Sequence, residues 1–175
     1  MQSVDEVLTL IPQANKHKPK INPEPQYKVV HGTLLRVMEG EEFGNTFKLD
    51  ERIKNNLGVI TVGRKDSDVY NDIRITENES AYISRCHCTI EIDYSIGKWL
   101  IRDGQSRVDC PIAKRSKELY PCPTCTHCAK PKRLTWHRSM NGTYVNSKEV
   151  DEKGIYFTPG DIISIGDVKL RVEGY

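Results

Sequence analysis

The chain contains 175 residues, a length that suits one ordinary domain with some additional segments. Hydrophobic residues make up 37% of it and charged residues 29%, proportions that are typical of a globular protein and argue against general disorder. The net charge of +2 is too balanced to mark the whole chain as a nucleic-acid-binding protein.

Residues 1–26 are predicted to form an N-terminal tail. Asp5 and Glu6 stand where a secretory signal would carry basic residues, so no signal peptide is predicted. Prolines at positions 12, 19, 23 and 25 favour extended chain over a packed sheet. No apolar run reaches the ~18 residues of a transmembrane helix, so a membrane span is excluded and a cytoplasmic location is expected.

From residue 27 to residue 175, short runs rich in Val, Ile, Thr, Tyr and Trp alternate with turn residues. The predicted strands are 29–37, 46–49, 59–62, 73–76, 88–92, 99–102, 143–145, 156–157, 162–165 and 168–172. The dipeptide Gly166-Asp167 separates the last two runs and fits a two-residue hairpin turn with Gly first. This pattern predicts an all-β, antiparallel sandwich.

Residues 104–138 interrupt this succession of strands. They contain four of the nine prolines and four of the six cysteines, and no alternating run is evident. Because a structureless loop of this length is unusual in a compact domain, something other than an apolar core must order it.

A structural zinc site of four thiolates is predicted from the cysteines of this insertion: Cys110, Cys122, Cys125 and Cys128. The two-residue spacing of the last three lets neighbouring thiolates reach one tetrahedral ion, and clustered thiols in a reducing compartment are more often metal ligands than disulfides. Metal binding would also supply folding free energy to a segment poor in apolar residues. His127 or His137 is an alternative ligand in place of Cys110, and disulfides or an iron–sulfur cluster are alternatives to zinc.

The same insertion is basic, with eight Lys and Arg residues against two acidic ones. It therefore offers an alternative function, in which a zinc-ordered basic lobe binds nucleic acid or an acidic partner and the sandwich is a scaffold. A solvated surface around a structural metal is the simpler explanation, because no aromatic stacking pattern accompanies the charge.

Four short motifs near the ends of predicted strands resemble the forkhead-associated (FHA) domain: Gly63-Arg64, Ser84-Arg85-Cys86-His87, Asn141-Gly142-Thr143 and Val145-Asn146. Each motif is weak alone, but the four in this order are specific. The resemblance covers roughly Lys28 to Val172, apart from the insertion. It implies a β sandwich of about eleven strands that binds phosphothreonine peptides, with the insertion beside the binding site.

The resemblance also implies individual roles. Arg64 and Ser84 would be the two phosphate ligands, Lys65 and Arg85 would be additional donors, and Asn141 would pair with the peptide backbone. These residue types suit the chemistry, because a phosphate dianion needs a fixed cation and several hydrogen-bond donors on loops of a rigid sheet.

Three further residues of the motifs would shape the site: Gly63, His87 and Gly142. By resemblance His87 orients a loop, and the Asn-Gly pair favours a positive φ in a tight turn. The sequence contains no phosphate-cradling Gly-rich loop with Lys, no paired-histidine helix and no serine elbow. It therefore predicts a non-enzymatic interaction module for a phosphorylated partner protein, with no membrane partner and with the oligomeric state left open.

Overall fold

The computed structural model describes residues 32–53, 58–66, 69–77, 81–108 and 134–175. In these ranges the strands are β1 (Thr33–Glu39), β2 (Thr46–Lys48), β3 (Val59–Arg64), β4 (Ile73–Ile75), β5 (Cys88–Asp93), β6 (Lys98–Asp103), β7 (Gln105–Val108), β8 (Leu134–His137), β9 (Thr143–Val145), β10 (Lys148–Glu149), β11 (Ile155–Phe157), β12 (Ile162–Ile165) and β13 (Val168–Gly174). One helical turn, α1 (Leu49–Arg52), follows β2. No helix in this part of the chain has the length and apolarity to cross a membrane.

Two sheets and a small ribbon account for these strands. The sheet orders are β10-β9-β12-β13-β1-β2 and β11-β6-β5-β3-β4, and β7 pairs with β8. All pairs are antiparallel except β3 with β4, where Gly63 lies beside Arg74 in a parallel register. One apolar core contains side chains of both sheets, including Leu35, Ile60, Ile90 and Ile163, which are fully buried. Burial of each such side chain contributes about 1.5–3 kcal/mol, so the core holds the two sheets together.

Alternation along the strands explains how the sequence forms this core. In β13 the side chains of Val168, Leu170 and Val172 are buried, whereas Lys169 and Arg171 between them are exposed. Successive side chains of a strand point to opposite faces, so one face packs inward and the other meets solvent. This confirms the all-β sandwich predicted from the sequence.

The predicted strands differ from the observed ones at several ends. The Gly166-Asp167 hairpin is confirmed, because Ile165 pairs with Val168 and Gly166 has a φ of 54°. The predicted strand 46–49 is one residue too long, since Leu49 begins α1. The expectation of about eleven strands was too low, because the described residues contain thirteen.

The insertion accounts for two of the additional strands. The prediction that residues 104–138 lack strand pattern was wrong at both ends, since β7 and β8 pair from Gln105 opposite His137 to Val108 opposite Leu134. The chain therefore leaves and re-enters the described structure at neighbouring positions. The four cysteines of the predicted zinc site, Cys110, Cys122, Cys125 and Cys128, lie outside the described residues, as do His127 and most of the basic residues of the insertion.

Candidate functional site

A groove with a volume of about 390 Å³ lies where three segments meet. These are the end of β3, the Ser84 loop (residues 81–87) and the Asn141 loop (residues 138–142). Its walls include four of the five predicted phosphopeptide-binding residues, namely Arg64, Ser84, Arg85 and Asn141. Lys65 is exposed and is not part of these walls.

Arg64 is the last residue of β3 and brings a cation to the groove. Its backbone amide donates to the carbonyl oxygen of Ser84 at 3.1 Å, so the two residues are held side by side. Its Nη2 lies 3.8 Å from Oδ2 of Asp66, and about a third of the Arg64 side chain is exposed. A long, partly exposed ion pair of this kind is weak, so the guanidinium can rearrange to bind an anion.

Ser84 presents its hydroxyl to the groove in a fixed position. The Oγ atom accepts a hydrogen bond from the amide of Met140 at 3.1 Å. A hydroxyl has one hydrogen to donate and two lone pairs that accept. Because the bond with Met140 uses a lone pair, the Ser84 O–H can donate to a ligand in the groove.

His87 connects the two loops from below the groove. Its side chain is buried, Nδ1 accepts from the Ser84 amide at 3.0 Å, and Nε2 lies 3.0 Å from the Gly142 carbonyl oxygen. Since Nδ1 is an acceptor, the ring hydrogen is on Nε2, which donates to Gly142. Burial lowers the pKa of His87, while the Gly142 hydrogen bond and the charge of Asp103 act in the opposite direction. The neutral imidazole thus fixes the spacing between the two loops.

Asn141 is exposed and makes a third connection between the loops. Its Nδ2 donates to the Tyr82 carbonyl oxygen at 2.9 Å. The next residue, Gly142, has a φ of 79°, a conformation that glycine adopts without steric cost. A side-chain amide has two N–H groups and an oxygen acceptor, so Asn141 retains capacity to pair with the backbone of an extended peptide.

Asp103, at the end of β6, is a buried carboxylate that the sequence analysis did not identify. It accepts from the hydroxyls of Ser139 at 2.6 Å and Thr143 at 2.8 Å, and from Nε of Arg138 at 3.0 Å. A buried charge requires such pairing, because removing it from water is otherwise costly. Asp103 therefore holds the Asn141 loop in place.

Asn71 is a second buried residue that sequence reasoning missed. Its Nδ2 donates to the Arg85 carbonyl oxygen at 2.6 Å, at the base of the Ser84 loop. The approach is possible because Gly63 has no side chain: a Cβ there would overlap this carbonyl oxygen and lie 2.6 Å from the Asn71 nitrogen. The Gly of the Gly63-Arg64 motif is thus required by close packing under the loop.

Two cysteines lie within the described residues and neither resembles a metal ligand or a nucleophile. Cys86 and Cys88 are buried, and burial strongly raises the pKa of Cys88. In the described ranges no cluster of three or more His, Cys, Asp or Glu side chains could hold a metal ion. His137, the alternative zinc ligand, lies on β8 in the wall of the groove.

Comparisons with known proteins agree with this architecture. Residues 60–116 match the family model described as the FHA domain. The fold is similar to the solution structure of the FHA domain of an Arabidopsis thaliana hypothetical protein, with a TM-score of 0.51 and 23% identity over 85% of this chain and 89% of that one. It is also similar to the crystal structure of full-length yeast Pml1p, with a TM-score of 0.50 and 17% identity over 82% of each chain. No curated protein matches the sequence significantly. The chain is therefore similar to FHA domains: residues 60–116 match the family model, and the β sandwich shares the fold of a solved FHA domain.

Proposed function

We propose that this β sandwich is an FHA domain that acts as an interaction module, not an enzyme, and that it binds phosphothreonine-containing peptides of partner proteins in the groove between the Ser84 and Asn141 loops. The observation that carries the proposal is the adjacent placement of a guanidinium and a hydroxyl donor at the rim of one groove. The backbone bond from Arg64 to Ser84 fixes that placement. The match of residues 60–116 to the FHA family model supports the same function.

The phosphate would be bound by charge and by directed donors. The Arg64 guanidinium supplies a planar fork of N–H groups, and the Ser84 O–H supplies one further donor. Arg85, in the same wall, adds positive charge. Hydrogen bonds to an ionised group are about twice as strong as those between neutral groups, so the phosphorylated form of a peptide should bind far better than the unphosphorylated form.

The peptide backbone would be bound separately from the phosphate. Asn141 is exposed beside the groove and its amide is oriented by the bond to Tyr82. An amide so oriented can accept from and donate to the main chain of an extended peptide. This division predicts that Asn141 affects phosphorylated and unphosphorylated peptides alike, whereas Arg64 discriminates between them.

The test is titration of a phosphothreonine peptide library and of its unphosphorylated counterpart against the full chain. Far tighter binding of the phosphorylated peptides is expected, and Arg64→Ala should weaken it by about 2–4 kcal/mol. Arg171→Ala, which removes an exposed cation from β13 on the other sheet, is the matched control and should bind as the wild type does. Equal affinity for both peptide sets, or none for either, would refute the proposal.

We propose in addition that Cys110, Cys122, Cys125 and Cys128 bind a structural zinc ion. Their spacing supports this, and so does the pairing of β7 with β8, which brings together the two ends of the segment that contains them. Elemental analysis of protein purified without chelator should find about one zinc per chain. Cys125→Ser should lose the metal and Cys86→Ser should retain it, since Cys86 is buried in the sandwich. Metal-free wild-type protein would contradict the proposal.

A further inference from the structure

We propose that Gln105 and Asn71 are positioning residues that connect the β7–β8 ribbon to the Ser84 loop, so that the ribbon sets the affinity of the groove for phosphothreonine. This inference rests on the function proposed above. It assigns a role to the base of the insertion, which interrupts the sandwich between β6 and β9.

Gln105 anchors the first residue of the ribbon in the sandwich. Its side chain is buried, with 7% exposure, although it is polar. Its Nε2 lies 3.0 Å from the Val62 carbonyl oxygen, 3.0 Å from Oδ1 of Asn71 and 3.1 Å from the Cys88 carbonyl oxygen. Two amide hydrogens are thus shared among three acceptors, which fixes the orientation of the Gln105 side chain.

Hydrogen bonds of Asn71 connect the Gln105 side chain to the Ser84 loop. Because Gln105 donates to Oδ1, the Nδ2 of Asn71 is turned towards the Arg85 carbonyl oxygen, to which it donates at 2.6 Å. Asn71 is completely buried, so no water can replace either bond without a rearrangement. The contacts form a continuous path from β7 to the residue that follows Ser84.

The second strand of the ribbon, β8, contributes a residue to the wall of the groove. Nε1 of Trp136 donates to the Asp103 carbonyl oxygen at 2.8 Å, and His137 lies in the groove wall. His137 is also the residue opposite Gln105 in the ribbon. β8 then continues directly into the Asn141 loop. The base of the ribbon is therefore attached to both loops that form the groove.

This arrangement predicts that loss of the Gln105 donor weakens phosphopeptide binding without direct contact with the ligand. When a ligand binds only one conformation of a loop, its apparent Kd equals the intrinsic Kd divided by the fraction of molecules in that conformation. If the Ser84 loop keeps its binding geometry for a tenth of the time, the Kd rises about tenfold.

The experiment compares wild type with Gln105→Met, which keeps the approximate volume and removes the amide. The Kd of a phosphothreonine peptide is measured at a temperature where both proteins are fully folded, because stability alone then has no effect on affinity. We expect a Kd about tenfold higher and a shifted amide resonance for Ser84. Ser106→Ala, on the exposed face of the same strand, is the control and should change neither. Unchanged Kd and unchanged Ser84 resonance in Gln105→Met would overturn the inference.

A double-variant cycle shows whether the effect passes through Asn71. In the Asn71→Leu background, Gln105→Met should raise the Kd by much less than tenfold, since the path is already broken. An equal effect in both backgrounds would refute the path. If Gln105→Met does not fold, Gln105→Asn, which shortens the reach of the amide, takes its place in every measurement.

The failure of this inference is distinguishable from failure of the proposed function. If wild-type protein binds no phosphothreonine peptide, the proposed function is wrong, and the Ser84 resonance in ligand-free Gln105→Met still decides the connection between ribbon and loop. If the wild type binds and Gln105→Met binds equally well with an unshifted resonance, the proposed function stands and the coupling is wrong.

Discussion

Mild acid is expected to destabilise the sandwich through His87. Burial lowers the pKa of this imidazole in the folded protein below its ordinary value near 6.5. Between about pH 6.5 and the lower folded pKa, the unfolded chain binds a proton that the folded chain does not. The contribution of His87 to stability is therefore complete above about pH 6.5 and is lost as the pH falls, at up to about 1.4 kcal/mol per pH unit for one proton.

The geometry explains why the folded state resists the proton. Protonation at Nδ1 would set an N–H group against the Ser84 N–H, which now donates to that nitrogen at 3.0 Å. Two donors facing each other at this distance repel, so the Ser84 loop would have to move. His87→Gln removes the titration and disturbs two hydrogen bonds, which should cost about 2–4 kcal/mol at pH 7.5.

Urea unfolding between about pH 5.5 and 7.5 measures this contribution, because most carboxylates stay ionised in that range. The chain contains five histidines, so the informative quantity is the difference between wild type and His87→Gln at each pH. We expect this difference to shrink as the pH falls. A difference that is constant across the range would show that His87 is not the titrating group.

Three further substitutions test the packing and charge of the site. Gly63→Ala should lower the melting temperature by several degrees and weaken phosphopeptide binding, because the new Cβ would overlap the Arg85 carbonyl oxygen under the Ser84 loop. Gly174→Ala is the control and should melt as the wild type does, because no atom lies nearer than 3.8 Å to the added Cβ. Asp103→Asn should reduce the free energy of unfolding in urea by about 2–4 kcal/mol, and a loss below about 0.5 kcal/mol would contradict its role as the paired buried charge. Asp66→Asn should tighten phosphopeptide binding about two- to fivefold, because it removes the negative charge 3.8 Å from Nη2 of Arg64. The gain in affinity should shrink as salt is added, and weaker binding by the variant would contradict the prediction.

The parts of the fold that the sequence predicts are those with local causes. β12 and β13 follow from alternating apolar residues around a two-residue turn, and both causes lie within eleven consecutive positions. The ends of strands are less predictable: Leu49 is apolar and fully buried, as a strand residue of a sandwich often is, yet it begins a helical turn. β7 and β8 are four residues long, and each is a strand only because the other pairs with it.

The residues of the candidate site likewise fall into those that local sequence predicts and those that depend on distant partners. Arg64, Ser84 and Asn141 belong to short motifs and were placed in one groove by their resemblance to a family. The residues that hold those motifs were missed, since Asp103 bonds to a hydroxyl 36 positions away and Gln105 to an amide 34 positions away. A buried polar residue is recognisable only when its partners are known, and such partners are set by the topology of the sheets and not by local sequence.

Long-range hydrogen bonds also explain how the sandwich accommodates the insertion. The insertion separates Asp103 from Ser139, yet the hydroxyl of Ser139 still bonds to Asp103 at 2.6 Å. The ribbon makes this possible, because Gln105 lies opposite His137 and the chain returns to the sandwich where it left. Gly104, with a φ of 100°, provides the turn into β7, and a side chain there would overlap the His137 carbonyl oxygen. Doubling the length of a closed loop costs only about 0.6 kcal/mol, so an insertion whose two ends pair as a ribbon leaves the groove intact.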